Sequence, residues 1–291
     1  MKIKQSRSET VFNIFNVLFM LAIVVVTLYP MMHILLSSIS NPSQLMGHTG
    51  LMLKPYGFNL ESYEIVFRNP MILTGYRNTF FIVIVGVGIN ILLTAMGAYF
   101  LSRKNVMLRN GIMFIIIITM YFSGGLIPFY FTVKDLHLDN TLWALILPGA
   151  VNTFNLIVMR TAFNSIPDSL EESAKLDGAG HFTILFKIIL PLSLPTVAVL
   201  VLYYGVGHWN AWFNAMLFLR NRDLWPLQLV LREVLISNDV ESMAIGTGDK
   251  AMIGETIKYA IIIVATLPIL ALYPFLQKYF VKGIMIGSIK E

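Results

Sequence analysis

The chain has no cysteine and few charged side chains: Asp, Glu, Lys and Arg together make up 13% of its 291 residues. Without cysteine there are no disulfides and no thiolate metal sites, an absence that says little about compartment. The shortage of charge says more. An ordinary globular domain carries about twice that charged fraction, and the mean hydropathy here is +0.72. The charges are missing in blocks. None lies between Glu9 and Lys54, and 25 uncharged residues separate Arg77 from Arg103. Four further intervals, from Arg109 to Lys134, Asp139 to Arg160, Lys187 to Arg220 and Lys258 to Lys278, enclose 24, 20, 32 and 19 residues. About 20 apolar residues rising ~1.5 Å each cross a ~30 Å hydrocarbon core. The pattern predicts an all-α membrane protein with six transmembrane helices, near 12–36, 78–101, 111–132, 142–160, 192–216 and 258–277. The first run is too long for a signal-peptide core and no small-residue cleavage site follows it, so it reads as a mature helix.

Other absences narrow the function. An ion-coupled secondary transporter often needs intramembrane acids, and the six spans supply none. No HExxH occurs, no paired carboxylates sit within a span and no Ser/His pairing stands out, which argues against an intramembrane enzyme. No P-loop pattern is present; Gly246-Thr247-Gly248-Asp249-Lys250 is too short and falls on the opposite side from the basic loops. No catalytic residue and no metal ligand set emerges. There is no fixed-period repeat and no low-complexity tract. The 16 methionines fit adaptable packing between membrane helices.

The charges that remain set an orientation. The N-terminal lead, the loops at 102–110 and 161–191, the tail from 278 and Arg160 carry 12 Lys/Arg against 6 Asp/Glu. The other side carries 9 against 10. Excess Lys/Arg marks the cytoplasmic side, so both termini and the 161–191 loop are expected there. The pI near 9.3 follows from this bias and implies no nucleic acid. Outside, a stretch of about 40 residues after the first span is long for a connection and is expected to hold a short helix near Leu60–Phe67. Ser123-Gly124-Gly125 and Pro128 are expected either to break the third span or simply to end it. The apolar residues of 224–236 have helical spacing.

The 161–191 loop reads as a polar helix, a glycine and a second helix. Asp168 is a good N-cap, and Glu171 three residues on has the spacing of a capping box. Glu171 and Glu172 suit the positive end of a helix dipole, and Lys175 can pair with Glu171. About nine residues on, Gly178 stands where a helix stops through a left-handed residue. Leu170, Ser173, Ala174 and Asp177 share one face, whose small side chains would let a partner approach closely. In the second helix, Phe182, Leu185, Phe186 and Ile189 form an apolar side. Pro191 and Pro195 mark entry to the fifth span. The bland alternative is a helical hairpin lying on the bilayer.

The spacing is Glu172-Ser173-Ala174, three residues, Gly178, nine residues, Ile188, one residue, Leu190-Pro191. It resembles the EAA loop of permease subunits of binding-protein-dependent ABC importers, with Ser173 in place of the first alanine. Leu176-Asp177-Gly178-Ala179 and Leu190-Pro191-Leu192-Ser193 resemble the carbohydrate-uptake branch. So does the loop's place between the fourth and fifth helices. Val281-Lys282-Gly283 and Gly287-Ser288-Ile289-Lys290 resemble the tail of one permease of maltose-type systems. Tyr203 to Asn214 resembles permeases for complex saccharides.

The resemblance implies one transmembrane domain over 1–291 in a bacterial plasma membrane, importing a sugar or oligosaccharide. A non-sugar solute is the alternative. It implies a second homologous permease, an ATP-binding subunit dimer that hydrolyses ATP, and an extracellular solute-binding protein. ATP and Mg would then sit on the partner, with no cofactor in this chain. Glu171, Glu172, Ser173, Ala174, Asp177 and Gly178 would carry ATPase coupling, Glu172 by pairing with a basic residue; its bland reading is a favourable charge at a helix N-terminus. The tail 283–291 would reach the ATPase interface. For the solute path, sugars stack on aromatic faces and hydrogen-bond to amides, which selects Trp209, Asn210, Trp212 and Asn214, with Phe213 among them. An interfacial aromatic belt is the alternative. Asn78 and Asn90 face either a helix partner or the pathway. His33 and His208 are expected in interfacial or interhelical hydrogen bonds.

Overall fold

The computed structural model describes residues 6–48, 50–237 and 254–271. Among them there is no strand; Ser40 and Phe58 form an isolated antiparallel bridge. The first apolar run is α1 (Arg7–Ser38), followed by the short α2 (Pro42–Met46) and α3 (Glu61–Arg68), the last where a short outer helix was expected. Next is α4 (Pro70–Ser102). Of the two outcomes the Ser-Gly-Gly step left open, the third run shows a break: α5 (Arg109–Tyr121) and α6 (Leu126–Asp135) meet at 116°, with Gly125 at φ +86°. The fourth departs from a single helix. It is α7 (Trp143–Ile146) and α8 (Thr153–Asn164), with 147–152 non-helical around Pro148-Gly149. Then come α9 (Asp168–Leu176), α10 (His181–Leu192) and α11 (Leu194–Asn210), the last two bent by 87°. The described helices end with α12 (Phe213–Phe218), α13 (Leu227–Ser237) and α14 (Gly254–Ala271). By length and composition α1, α4 and α14 can each cross a membrane, and five spans result if each bent pair counts as one. The segments 246–250, 272–277 and 283–291, on which earlier expectations fall, lie outside the described residues.

The described residues group into two compact units. One comprises Met1–Asn69 with Glu233–Thr266. Most of α1 is apolar all round and open to its surroundings, the pattern of a lipid-facing helix. Its end is anchored by hydroxyls. Ser38 Oγ lies 2.7 Å from Tyr63 Oη on α3. Ser40 Oγ accepts the Tyr56 N–H at 3.1 Å and donates to Leu36 O at 2.6 Å. The Tyr29 hydroxyl accepts the Met52 N–H at 3.0 Å. These bonds, more than a deep core, fix the long 39–69 stretch. His33 sits between the rings of Tyr29 and Tyr259. Its buried Nδ1 has no partner among the described residues, so the expected interhelical hydrogen bond is absent from that nitrogen.

The other unit comprises Pro70–Arg232 with Leu267–Glu291. Here α4 is the spine, with α8 and α11 packed on it. Besides Ser102 at its end, four buried polar residues run along it: Asn78, Thr79, Asn90 and Thr94. Each is committed to another segment. Asn78 Nδ2 donates to the carbonyls of Asp223 (2.8 Å) and Trp225 (3.1 Å), and Thr79 Oγ1 accepts the Leu227 N–H at 2.9 Å. Asn90 Nδ2 donates to Gly149 O (3.1 Å) and Ala150 O (2.8 Å). Its Oδ1 is therefore left as an acceptor, so His208 Nε2, 2.7 Å away, is the donor. Thr94 Oγ1 lies 2.8 Å from Tyr204 Oη, which also accepts the Asn152 N–H at 3.0 Å. The non-helical backbone at 147–152 is thus covered by side chains of α4 and α11. Covering of this kind is what non-helical backbone needs in lipid, where a bare carbonyl or N–H costs several kcal/mol.

Glycines let this network close. A Cβ on Gly86 would stand 2.7 Å from His208 Nε2, and one on Gly75 would stand 3.1 Å from the Leu227 Cα. Gly86→Ala is expected to push His208 off Asn90 and destabilise the protein by about 1–3 kcal/mol, seen as a fall in Tm of the purified protein. Gly88→Ala is the control. Nothing lies within 4 Å of its added Cβ, so Tm should hold or rise slightly.

Candidate functional site

The 161–191 segment folds as two helices with a sharp stop between them. Pro167, not Asp168, is the N-cap residue of α9, and Asp168 is the first helical residue. The expected capping box does not form because both acids are drawn across to the basic loop after α4. Asp168 is paired with Lys104. Glu171 is buried and accepts from Arg103 and, at 2.8 Å, from Lys175, the i+4 pair the sequence predicts. Arg103 is itself held: its guanidinium lies 5.0 Å from the Tyr99 ring centroid, and Nε donates to Ser102 Oγ at 3.0 Å.

These contacts set the electrostatics. Burial alone would raise the Glu171 carboxyl, but hydrogen bonds from Lys175 and Arg103, and then their charges, outweigh it and hold it below its ordinary value. Asp168 is likewise lowered, first by its hydrogen bond to Lys104 and then by the Lys104 charge. Both carboxyls are depressed, so the contacts are present at neutral pH and are lost as pH falls through the lowered values. A cavity of about 580 Å³ opens beside them, lined by Tyr99, Arg103, Glu171, Lys175, His181 and Phe182 among others. The first turns of α9 are therefore tied to α4 by charge across a gap. Ala174 instead packs into a core made by α4, α8, α10 and α11, with Ala98, Tyr99, Phe163, Ile184 and Leu200 among its members.

The stop is a left-handed one. Gly178 has φ +82°, its N–H donates to Lys175 O at 3.0 Å, and the Ala179 N–H reaches back to Ala174 O at 2.9 Å. Nothing lies near the position of an added Cβ, so any substitution cost there is conformational. The next helix, α10, contains a π turn at Leu185–Ile189. Pro191 offers no N–H to the Lys187 carbonyl, and the looser turn accommodates this. Ile184, Leu185 and Ile189 face inward, whereas Phe182 and Phe186, expected on that side, are exposed.

The six expected coupling residues divide into two sets. Glu172, Ser173, Asp177 and Gly178 are exposed. Glu171 and Ala174 are buried, so Glu171 is an internal anchor and Ala174 does not share an outer face with Ser173 and Asp177. Leu176 was missed as a surface feature: it is 90% exposed on the outer ridge. An apolar residue between Lys175 and Asp177 was the available signal. Arg103 and Lys104 registered only as orienting charge, since nothing in the sequence links them to α9.

The expected pathway residues divide as well. Asn78 and Asn90 are the structural staples described above. Trp209 is buried, its ring centroid 5.7 Å from Phe80 and 6.4 Å from Tyr76. Asn210, the last residue of α11, is exposed, and Asn214 is half-buried on α12. Trp212 lies in the non-helical step between these helices and is partly exposed, beside Phe213.

Comparison with known proteins places this geometry in context. The family model for the binding-protein-dependent transport system inner membrane component matches residues 90–286. Protein LplC of Bacillus subtilis (strain 168) is 41% identical over 286 residues, covering 98% of this chain and 97% of its own. The polygalacturonan/rhamnogalacturonan transport system permease protein YtcP of the same organism is 39% identical over 277 residues, covering 94% and 96%. A chain of a bacterial ABC transporter involved in import of the acidic polysaccharide alginate superposes with TM-score 0.88 at 32% identity, covering 96% of this chain and 100% of its own.

Arg103→Ala leaves Glu171 buried with one exposed cation. Loss of one partner of such a pair costs roughly 3–5 kcal/mol, so hydrogen exchange of the 168–178 amides should accelerate by at least tenfold. The exposed Lys104→Ala should change it little.

Proposed function

Because the chain belongs to the family of binding-protein-dependent transport system inner membrane components, we propose that it forms half of the translocation path of an ATP-driven saccharide importer. The other half is a second, homologous permease. An external binding protein delivers the solute, and a separate ATPase dimer, which holds ATP and Mg2+, supplies the work. We assign no catalysis to this chain. In this reading residues 1–291 form one permease domain with six spans in a bacterial plasma membrane, both termini and the 161–191 segment facing the cytoplasm. α7, 147–152 and α8 together make the fourth span. The saccharide assignment rests on relatives whose own solutes are polysaccharides.

The observation that carries the coupling role is the division of α9 into two faces. Glu172, Ser173, Leu176 and Asp177 form an outer ridge, and the opposite side is fixed by Glu171 to Arg103 and by Ala174 to the core. Such a helix serves as a lever. A partner that grips the ridge and moves it pulls on Arg103, at the end of α4, and α4 holds α8 and α11 through its buried polar residues. Glu172 is exposed and in no ion pair among the described residues, which supports a contact with a cation on the ATPase. The tail 283–291 is assigned to the ATPase interface by resemblance alone.

In the assembled complex, ATP hydrolysis should rise when solute-loaded binding protein is added. Gly178→Val forces a β-branched residue into a left-handed position, at a cost of about 1–2 kcal/mol or more. It should abolish that stimulation or release the ATPase from the complex on purification. Full stimulation and an intact complex in this variant would remove α9 from the coupling path.

A further inference from the structure

The fifth span breaks at Ala211-Trp212, and the break presents an aromatic surface next to a cation. The Arg232 guanidinium, on α13, lies over Trp212 with Cζ 4.4 Å from the ring centroid. Phe213 stands edge-on to Trp212 at 5.7 Å. Trp212 is 37% exposed and Phe213 42%. Trp209, three residues earlier, is buried against Tyr76 and Phe80, so the aromatics of this run are not equivalent.

Arg232 is half-buried, yet no carboxylate pairs with it among the described residues. Its hydrogen bond there goes to the Met216 sulfur at 3.2 Å, a weak acceptor for a full cation. Among the described residues its planar donor pairs are therefore largely unused, and they match a carboxylate in geometry and charge. The same stretch, 213–233, holds Arg220, Arg222 and Arg232 against Asp223 and Glu233, a small local excess of positive charge. With one face of Trp212 covered by the guanidinium, the exposed Phe213 ring is the aromatic surface that suits the C–H side of a sugar ring, and the guanidinium's outward donors suit an acid on that ring.

We propose that Trp212, Phe213 and Arg232 form a subsite for a uronic-acid residue, so that the solute is an anionic oligosaccharide. The proposal rests on the saccharide-import reading above and narrows it to a charge class.

The test uses the assembled complex with its ATPase and binding protein in proteoliposomes. Uptake is measured for tetramers of galacturonate and of mannuronate, and for their carboxyl-reduced neutral counterparts, with wild type, Arg232→Gln and Arg232→Lys. At least one acidic tetramer should be taken up by wild type. Arg232→Gln should cut that uptake by about tenfold or more, as expected for loss of a charge-assisted hydrogen bond. Solute-independent ATP hydrolysis should be unchanged, and Arg232→Lys should fall between the two because it keeps the charge without the fork. Preference for the neutral tetramers would overturn the anionic subsite and leave saccharide import standing. Uptake of neither class by a complex that hydrolyses ATP would overturn saccharide import itself. Equal loss of acidic and neutral uptake in Arg232→Gln would make Arg232 a structural residue. An Arg232→Gln effect that follows the anionic lipid content of the vesicles, not the solute, would assign the guanidinium to a lipid phosphate.

Discussion

A chain with so little charge must satisfy its backbone without water, and the rest of the structure follows from that constraint. Helices solve it locally. The breaks do not, and this chain has several: between α5 and α6, at 147–152, between α10 and α11, and at Ala211-Trp212. At 147–152 the solution is explicit. Asn90 gives both amide hydrogens to Gly149 and Ala150, and Tyr204 takes the Asn152 N–H. Asn90 can do this only because His208 occupies its oxygen, and His208 fits only because residue 86 has no side chain. One glycine, one histidine and one asparagine thereby hold the non-helical 147–152 segment on α4.

The same economy appears at the other end of α4, in charged form. A buried carboxylate at Glu171 is tolerable because two cations reach it, and one of them, Arg103, is stacked on Tyr99. A buried ion pair is weak support for stability as such. Its consequence here is geometric. It fixes the azimuth of a nine-residue helix that is too short to be stable alone, and so decides which residues face a partner. Polar staples along α4 and the ion pair just past its end each tie another segment to that helix, α9 through Arg103 and the 147–152 break and α11 through Asn90 and Thr94.

Much of this was legible in sequence. The extent of α9, its left-handed stop at Gly178, the Lys175–Glu171 pair and the break after α5 all follow from local chemistry: a proline, an acid four residues from a base, and glycines. The split of the fourth apolar run was missed: Pro148-Gly149 was the available signal, but it sits in an otherwise apolar stretch, and the hydrogen-bond partners of 147–152 lie on α4 and α11. The inward turn of Glu171 was missed for the same reason. Asp168 and Glu171 satisfy the spacing rule for a cap, and only the tertiary arrangement reveals that Arg103 and Lys104 compete for them and win. Asn78 and Asn90 were expected to face either a helix partner or a pathway. The fold resolves that choice in favour of partner segments.

The central claim is that α9 moves α4 through the Arg103–Glu171 pair, and a charge exchange measures it most directly. In the assembled complex, Arg103→Glu and Glu171→Arg should each abolish stimulation of ATP hydrolysis by solute-loaded binding protein. The double exchange should restore a substantial part of it. Stimulation that survives in either single variant, or that stays lost in a correctly assembled double variant, would contradict the account.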